Sequence, residues 1–116
     1  MDIVNVKLSN PRVHIEDHGF LTFDVTVNAN YWTCNFGGYA LGVVNTFTST
    51  NGGIGLVAMM HIMDVVGVKC WEDLDGKYCR VVEPTGSGQV TTIGNLIEDK
   101  WFNIKEFYED YVRENM

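Results

Sequence analysis

Residues 20–27 read FLTFDVTV, with Leu21, Phe23, Val25 and Val27 alternating strictly against Thr22, Asp24 and Thr26. A two-residue period describes a strand with one face in a core and the other in water. Any fold open to this chain must therefore contain a half-wet sheet. The same period runs through residues 3–8, where Val4, Val6 and Leu8 alternate with Asn5 and Lys7. Asn10-Pro11 breaks or bends that run, after which Val13 and Ile15 alternate with His14 and Glu16. Asp17-His18-Gly19 supplies turn chemistry before the next strand. Residues 31–41, YWTCNFGGYAL, continue as an aromatic-rich strand that Gly37-Gly38 should bulge or kink.

The period then changes. Residues 46–55, TFTSTNGGIG, have the composition of a mobile connector. Beyond them Leu56, Met59, Met60, Met63 and Val66 fall on one side of a helix predicted over 54–66, with Gly67 placed to cap it. Trp71-Glu72-Asp73-Leu74 suits a single helical turn leading into Asp75-Gly76. Strand alternation resumes over 77–83, and a hairpin loop with Gly86-Ser87-Gly88 at its tip joins it to a strand over 89–97. Asn103, with Glu106 three residues on, starts a terminal helix over 103–114 whose apolar stripe is Ile104, Phe107, Tyr108 and Tyr111. The expectation is an α+β fold: an antiparallel sheet with one helix between strands and a C-terminal helix. Phe23, Val25, Met59, Met63 and Phe107 are its predicted core. A partly open OB-like barrel is the alternative with the same element order.

At 116 residues there is room for one domain, 1–116. Fifteen acids against eight Lys and Arg give a net charge of −7, opposite to the basic footprint of a nucleic-acid binder. No direct nucleic-acid binding is therefore expected. The first residues do not resemble a secretory signal, and the longest apolar run, 54–68, is too short to span a bilayer and contains His61 and Asp64. These features predict no membrane association and a cytoplasmic protein. Cys34, Cys70 and Cys79 are odd in number and lack CxxC spacing, so reduced, buried thiols are expected.

No constellation carries recognisable catalysis, so the expectation is a protein that is not an enzyme, with no cofactor and no metal. His14 and His18 are four residues apart but fall on a strand and in a turn. Residues 51–55, NGGIG, precede a helix as phosphate loops do, yet run on into Leu56-Val57-Ala58 without the lysine that neutralises phosphate. Tyr31, Trp32, Phe36 and Tyr39 offer a stacking platform or protein-interface anchors, although residues 31–50 contain no Lys or Arg. Trp71 and Trp101 sit beside acids and should plug the ends of the core. The acids are the most unusual feature: Glu72, Asp73 and Asp75 form one group, and Glu98, Asp99, Glu106, Glu109, Asp110 and Glu114 crowd the last nineteen residues. Such a surface complements a basic cleft on another protein.

The run MMHIMDVVGVKCWEDLDGKYCRV, the later IGNLIEDKWFNIKEF and the earlier NFGGYALG resemble small proteins encoded by phages and prophages of Gram-positive gut bacteria. The resemblance implies an infected bacterial cytoplasm as the setting. By analogy with anti-CRISPR proteins, the expected partner is a host defence protein, a CRISPR effector nuclease whose nucleic-acid cleft this chain would occupy. The expected partner-binding residues are Glu72, Asp73, Asp75, Glu98, Asp99, Glu109, Asp110, Glu114, Trp32, Phe36 and Tyr39. The alternatives are an OB-like single-strand-binding accessory module and a sponge for small signalling nucleotides that uses the glycine loop.

Overall fold

The computed structural model describes residues 2–86 and 88–115. Seven strands, β1 (Ile3–Ile15), β2 (Phe20–Asn28), β3 (Thr33–Val43), β4 (Thr48–Ser49), β5 (Tyr78–Val82), β6 (Thr92–Gly94) and β7 (Trp101–Asn103), form one sheet. Helix α1 (Ile54–Val66) lies between β4 and β5 in the chain, and α2 (Ile104–Glu114) ends it. The spatial order is β4-β3-β2-β1-β5-β6-β7, and every pairing is antiparallel. The fold is thus α+β with an open sheet. The barrel alternative is overturned, because β4 and β7 stand at opposite edges and do not pair. Strands β2, β3 and β4 build outward from one side of β1, and α1 carries the chain across so that β5 adds to the other side.

Both helices cover one face of the sheet. Val6, Leu8, Phe23, Val25, Val27, Phe36, Cys79, Val81, Ile93 and Phe102 point into the core and meet Ala58, Ile62 and Val65 of α1 and Ile104 of α2. The α1 boundaries are as predicted, but its buried stripe is not. Leu56 and Met60 are exposed, and Met59, Met63 and Val66 are half-buried, while Ile54, Gly55, Ala58, Ile62 and Val65 face inward. The reason is close approach: a Cβ at Gly55 would overlap the Leu41 side chain and lie 3.1 Å from the Ala40 carbonyl oxygen. The helix seats its small residues against the sheet, a pattern that side-chain size does not reveal in a helix apolar nearly all round. Phe23 and Val25 are buried as expected, and Phe107 packs half-buried against the core.

Caps follow the sequence closely. The Asn103 side chain accepts the Glu106 N–H at 2.9 Å, and Gly67 ends α1 in the left-handed conformation, donating to the Met63 carbonyl. Asn10-Pro11 does not end β1. It forms a bulge between the pairs Ser9↔Thr26 and Arg12↔Asp24, with Asn10 at φ 50°. The extra residue switches parity, so that Val13 and Ile15 keep the side of Val6 and Leu8, though exposed beyond the helices, and Arg12 and His14 turn to the open face. Gly37-Gly38 produces the expected irregularity in β3. The connector 46–55 is more ordered in form than expected, holding β4, a 3-10 turn (Asn51–Gly53) and the start of α1. Thr50 ties it down by donating from its hydroxyl to Ala40 and from its amide to Leu41.

The strand predicted over 89–97 shortens to β6, because the Asn95 side chain accepts the N–H groups of Ile97 and Glu98 and turns the chain into β7. Part of the predicted 86–88 tip, Ser87, lies outside the described residues. Of the cysteines only Cys79 is buried; Cys34 is half-buried and Cys70 exposed. Among the described residues no helix is long and apolar enough to cross a membrane.

Candidate functional site

The acids predicted to bind a partner divide into two groups. Glu72, Asp73 and Asp75 stand exposed around the 3-10 turn Trp71–Leu74, sharing a depression with Lys69 and Lys77 just past the end of α1. Glu98 and Asp99 are exposed in the β6–β7 turn at that same end, where Lys100 pairs with Asp64 at 3.3 Å. Glu109, Asp110 and Glu114 lie on the solvent side of α2, and Asp110 pairs with Arg113 on its own helix. Helix α2 runs antiparallel to α1: Phe107 packs against His61, whereas Tyr111 reaches Gly52. The two acidic groups therefore occupy opposite ends of the helical layer rather than one continuous patch.

The predicted aromatic residues are mostly withdrawn from the surface. Phe36 is 1% exposed and belongs to the core, so it cannot touch a partner in the folded chain. Its position opposite Val25 on the helix-covered face explains the correction. Trp32 is half-buried against the core. Tyr39 stacks on Tyr108 with ring centroids 3.8 Å apart, which joins β3 to α2. The Tyr108 hydroxyl is buried without a hydrogen-bond partner among the described residues; burial, reinforced by Tyr39, pushes its pKa up to about 12. Tyr31 is 97% exposed, the freest ring of that group. Trp71 fills a core position and meets Phe23 edge-on at 5.9 Å, whereas Trp101 lies on the open face of the sheet.

That open face was not singled out from the sequence. Along β1 the bulge brings Arg12 opposite Asp24, and two parallel hydrogen bonds join them, Nε to Oδ1 at 3.0 Å and Nη2 to Oδ2 at 2.9 Å. His14 Nε2 lies 3.1 Å from the same Oδ2. His18, in the turn, bonds to Glu16 at 2.8 Å. Burial is the largest single influence on the Asp24 carboxyl and pushes its pKa up. The hydrogen bonds and charges of Arg12 and His14 together outweigh it and hold the carboxyl below its ordinary range.

Farther along the same face Lys7 lies over the Tyr78 ring at 5.9 Å and Arg80 over the Trp101 ring at 4.7 Å. The signals were present as odd-numbered Lys7 and even-numbered Tyr78 and Arg80, the polar partners of Val6, Cys79 and Val81 in alternation. Their meeting required the pairing of distant strands, Lys7↔Tyr78 and Arg80↔Gly94.

Charge is thus segregated by element. The strands hold Lys7, Arg12 and Arg80 against Asp24 alone, and every other acid lies outside them. These features define an α+β protein with one face of an open antiparallel sheet left uncovered and an acidic helical side. No protein-family model, curated protein or solved structure matches the chain.

Proposed function

We propose that this chain is a stoichiometric binding protein that inhibits a host defence nuclease, its acidic helical side occupying a basic nucleic-acid cleft of an RNA-guided effector. The observation that carries the reading is the segregation of charge. The −7 of the whole chain is not spread evenly: the strands sum to +2 and the segments outside them to −9. A concentrated negative surface raises association rates with a cationic channel, the kind of channel in which such effectors hold their heteroduplex. The resemblance to phage and prophage proteins supplies the biological setting. Glu109 and Asp110 at one end, and Glu72, Asp73 and Asp75 at the other, are the contacts the proposal names. Their separation suits a long cleft better than a small pocket.

The test is a cleavage assay in which the host effector, its guide and a target DNA are titrated with this protein. Inhibition should saturate near one equivalent and should not depend on incubation time once binding is complete. Cleavage unaffected by a large excess, with every RNA-guided nuclease of the host, overturns the proposal.

A further inference from the structure

The uncovered face of the sheet differs in character from the rest of the surface. Tyr78 is 57% exposed with Lys7 above its ring, and no carboxylate pairs with Lys7 among the described residues. Arg80 is held in place without being neutralised: Nε donates to the Asn95 carbonyl at 2.7 Å and Nη2 to the Glu98 carbonyl at 2.8 Å. Its guanidinium lies over Trp101, whose indole rests on Gly94, where a Cβ would overlap the ring. The Arg12 charge is cancelled by Asp24, which leaves Lys7 and Arg80 as the cations this face presents.

We propose that this face, centred on Lys7, Tyr78, Arg80 and Trp101, binds single-stranded nucleic acid. The exposed Tyr78 ring beside Lys7, and the Arg80 guanidinium lying over a half-buried Trp101 whose indole N–H donates to Asp99 at 2.8 Å, occupy one half of the sheet. Given ~4.8 Å between neighbouring strands and a same-face repeat of roughly 6.6–6.8 Å, Tyr78 and the Trp101–Arg80 stack over β6 stand on the order of 8 Å apart. Exposed rings and guanidinium planes stack on splayed bases, while the cations answer the phosphates. A duplex offers neither free base faces nor a flat surface of this width. An acidic peptide would satisfy the cations but leave the rings unused. The net charge of the chain argues against nucleic acid only if it is spread evenly, and it is not. The inference goes beyond the inhibitor reading and stands or falls separately: it concerns the sheet face, not the helical side.

The experiment is fluorescence anisotropy with a labelled oligo-dT and a labelled oligo-U of about twelve nucleotides, the full chain and a salt series. With two phosphates answered, the slope of log K against log salt should be about −1.4, so affinity should fall roughly fivefold between about 50 and 150 mM salt. Lys7→Gln should lower the magnitude of that slope by about 0.7. Tyr78→Ala should weaken binding about tenfold, within the range measured for base–aromatic stacks. Both side chains are exposed, so both variants should keep the wild-type melting temperature. Glu109→Gln with Asp110→Asn should leave the effects of Lys7→Gln and Tyr78→Ala unchanged. The dT and U arms separate DNA from RNA as the source of the strand. No binding to either probe at low salt overturns the proposal. So do binding that Lys7→Gln and Tyr78→Ala leave intact, preference for a duplex of the same length, and tighter binding of a glutamate-rich peptide.

Discussion

Replacing Arg12 by Met removes the strongest polar contact on the open face of the sheet and leaves the Asp24 carboxylate with His14 alone. The Asp24 side chain is 8% exposed and the Arg12 side chain 41% exposed, so the pair lies between two regimes. Breaking a fully buried pair costs ~3–5 kcal/mol, because a charge is stranded in low dielectric. An exposed pair is worth ~0.2–1 kcal/mol. With one partner buried, the other in contact with water and both hydrogen bonds well formed, about 2 kcal/mol is expected for Arg12→Met. In a domain of this size that corresponds to a melting point lower by roughly 8–12 °C.

A double-mutant cycle with Asp24→Asn isolates the pair, and its coupling should be about 1.5 kcal/mol at pH 7. The sign of the pH dependence follows from the depressed Asp24 pKa. The pair's contribution is fully present above the unfolded carboxyl value of ~3.9 and is lost as pH falls through the lower folded value. Urea denaturation of wild type and Arg12→Met, from pH 7 down to the lowest pH at which both fold, should show the gap narrowing only below about pH 4. Coupling under about 0.5 kcal/mol, the range of an ordinary surface pair, would refute the reasoning. So would a gap that stays constant through the acid range.

Phe107 packs half-buried between His61, Phe102 and Tyr108, so Phe107→Ala should cost ~2–3 kcal/mol in thermal or urea unfolding, below the 3–5 of a fully buried ring; an unchanged midpoint would mean that α2 does not dock through it. Gly94→Ala places a methyl group inside the Trp101 ring. The expected loss is ~1–3 kcal/mol of overpacking, with a shift in tryptophan fluorescence as the indole leaves the sheet; wild-type stability and emission would contradict the close approach. For the inhibitor reading, Glu109→Lys with Asp110→Lys should slow association with the effector far more at low than at high salt, since exposed charges are screened beyond ~8 Å at physiological ionic strength. Equal slowing at all salt concentrations in a stopped-flow or surface-binding measurement would remove electrostatic steering from the explanation.

What the sequence determined by itself is local. The alternation of residues 20–27 determined a strand, though not its wet face, since Thr22 and Asp24 are buried; Asn103 determined the start of α2, Gly67 the end of α1, and Gly37-Gly38 the irregularity in β3. Each is written in neighbouring residues through side-chain period, a cap or a left-handed turn, and each is visible without knowing what packs where. The tertiary structure decided what depends on residues far apart in the chain. Which stripe of α1 is buried depended on Gly55 fitting under Leu41. The length of β6 depended on the Asn95 side chain turning the chain back to form β7. The Asn10 bulge, legible only as a break or a bend, acquired its meaning when β2 lay beside β1 and Asp24 met Arg12. The acids seemed a single feature in composition, yet α1 and α2 place them at opposite ends of the helical layer. Three of the eight cations, Lys7, Arg12 and Arg80, are brought to the open face by strand parity and by the order in which the strands pair. Net charge is a sum over the chain, whereas a binding surface is a selection from it, and only the fold makes that selection.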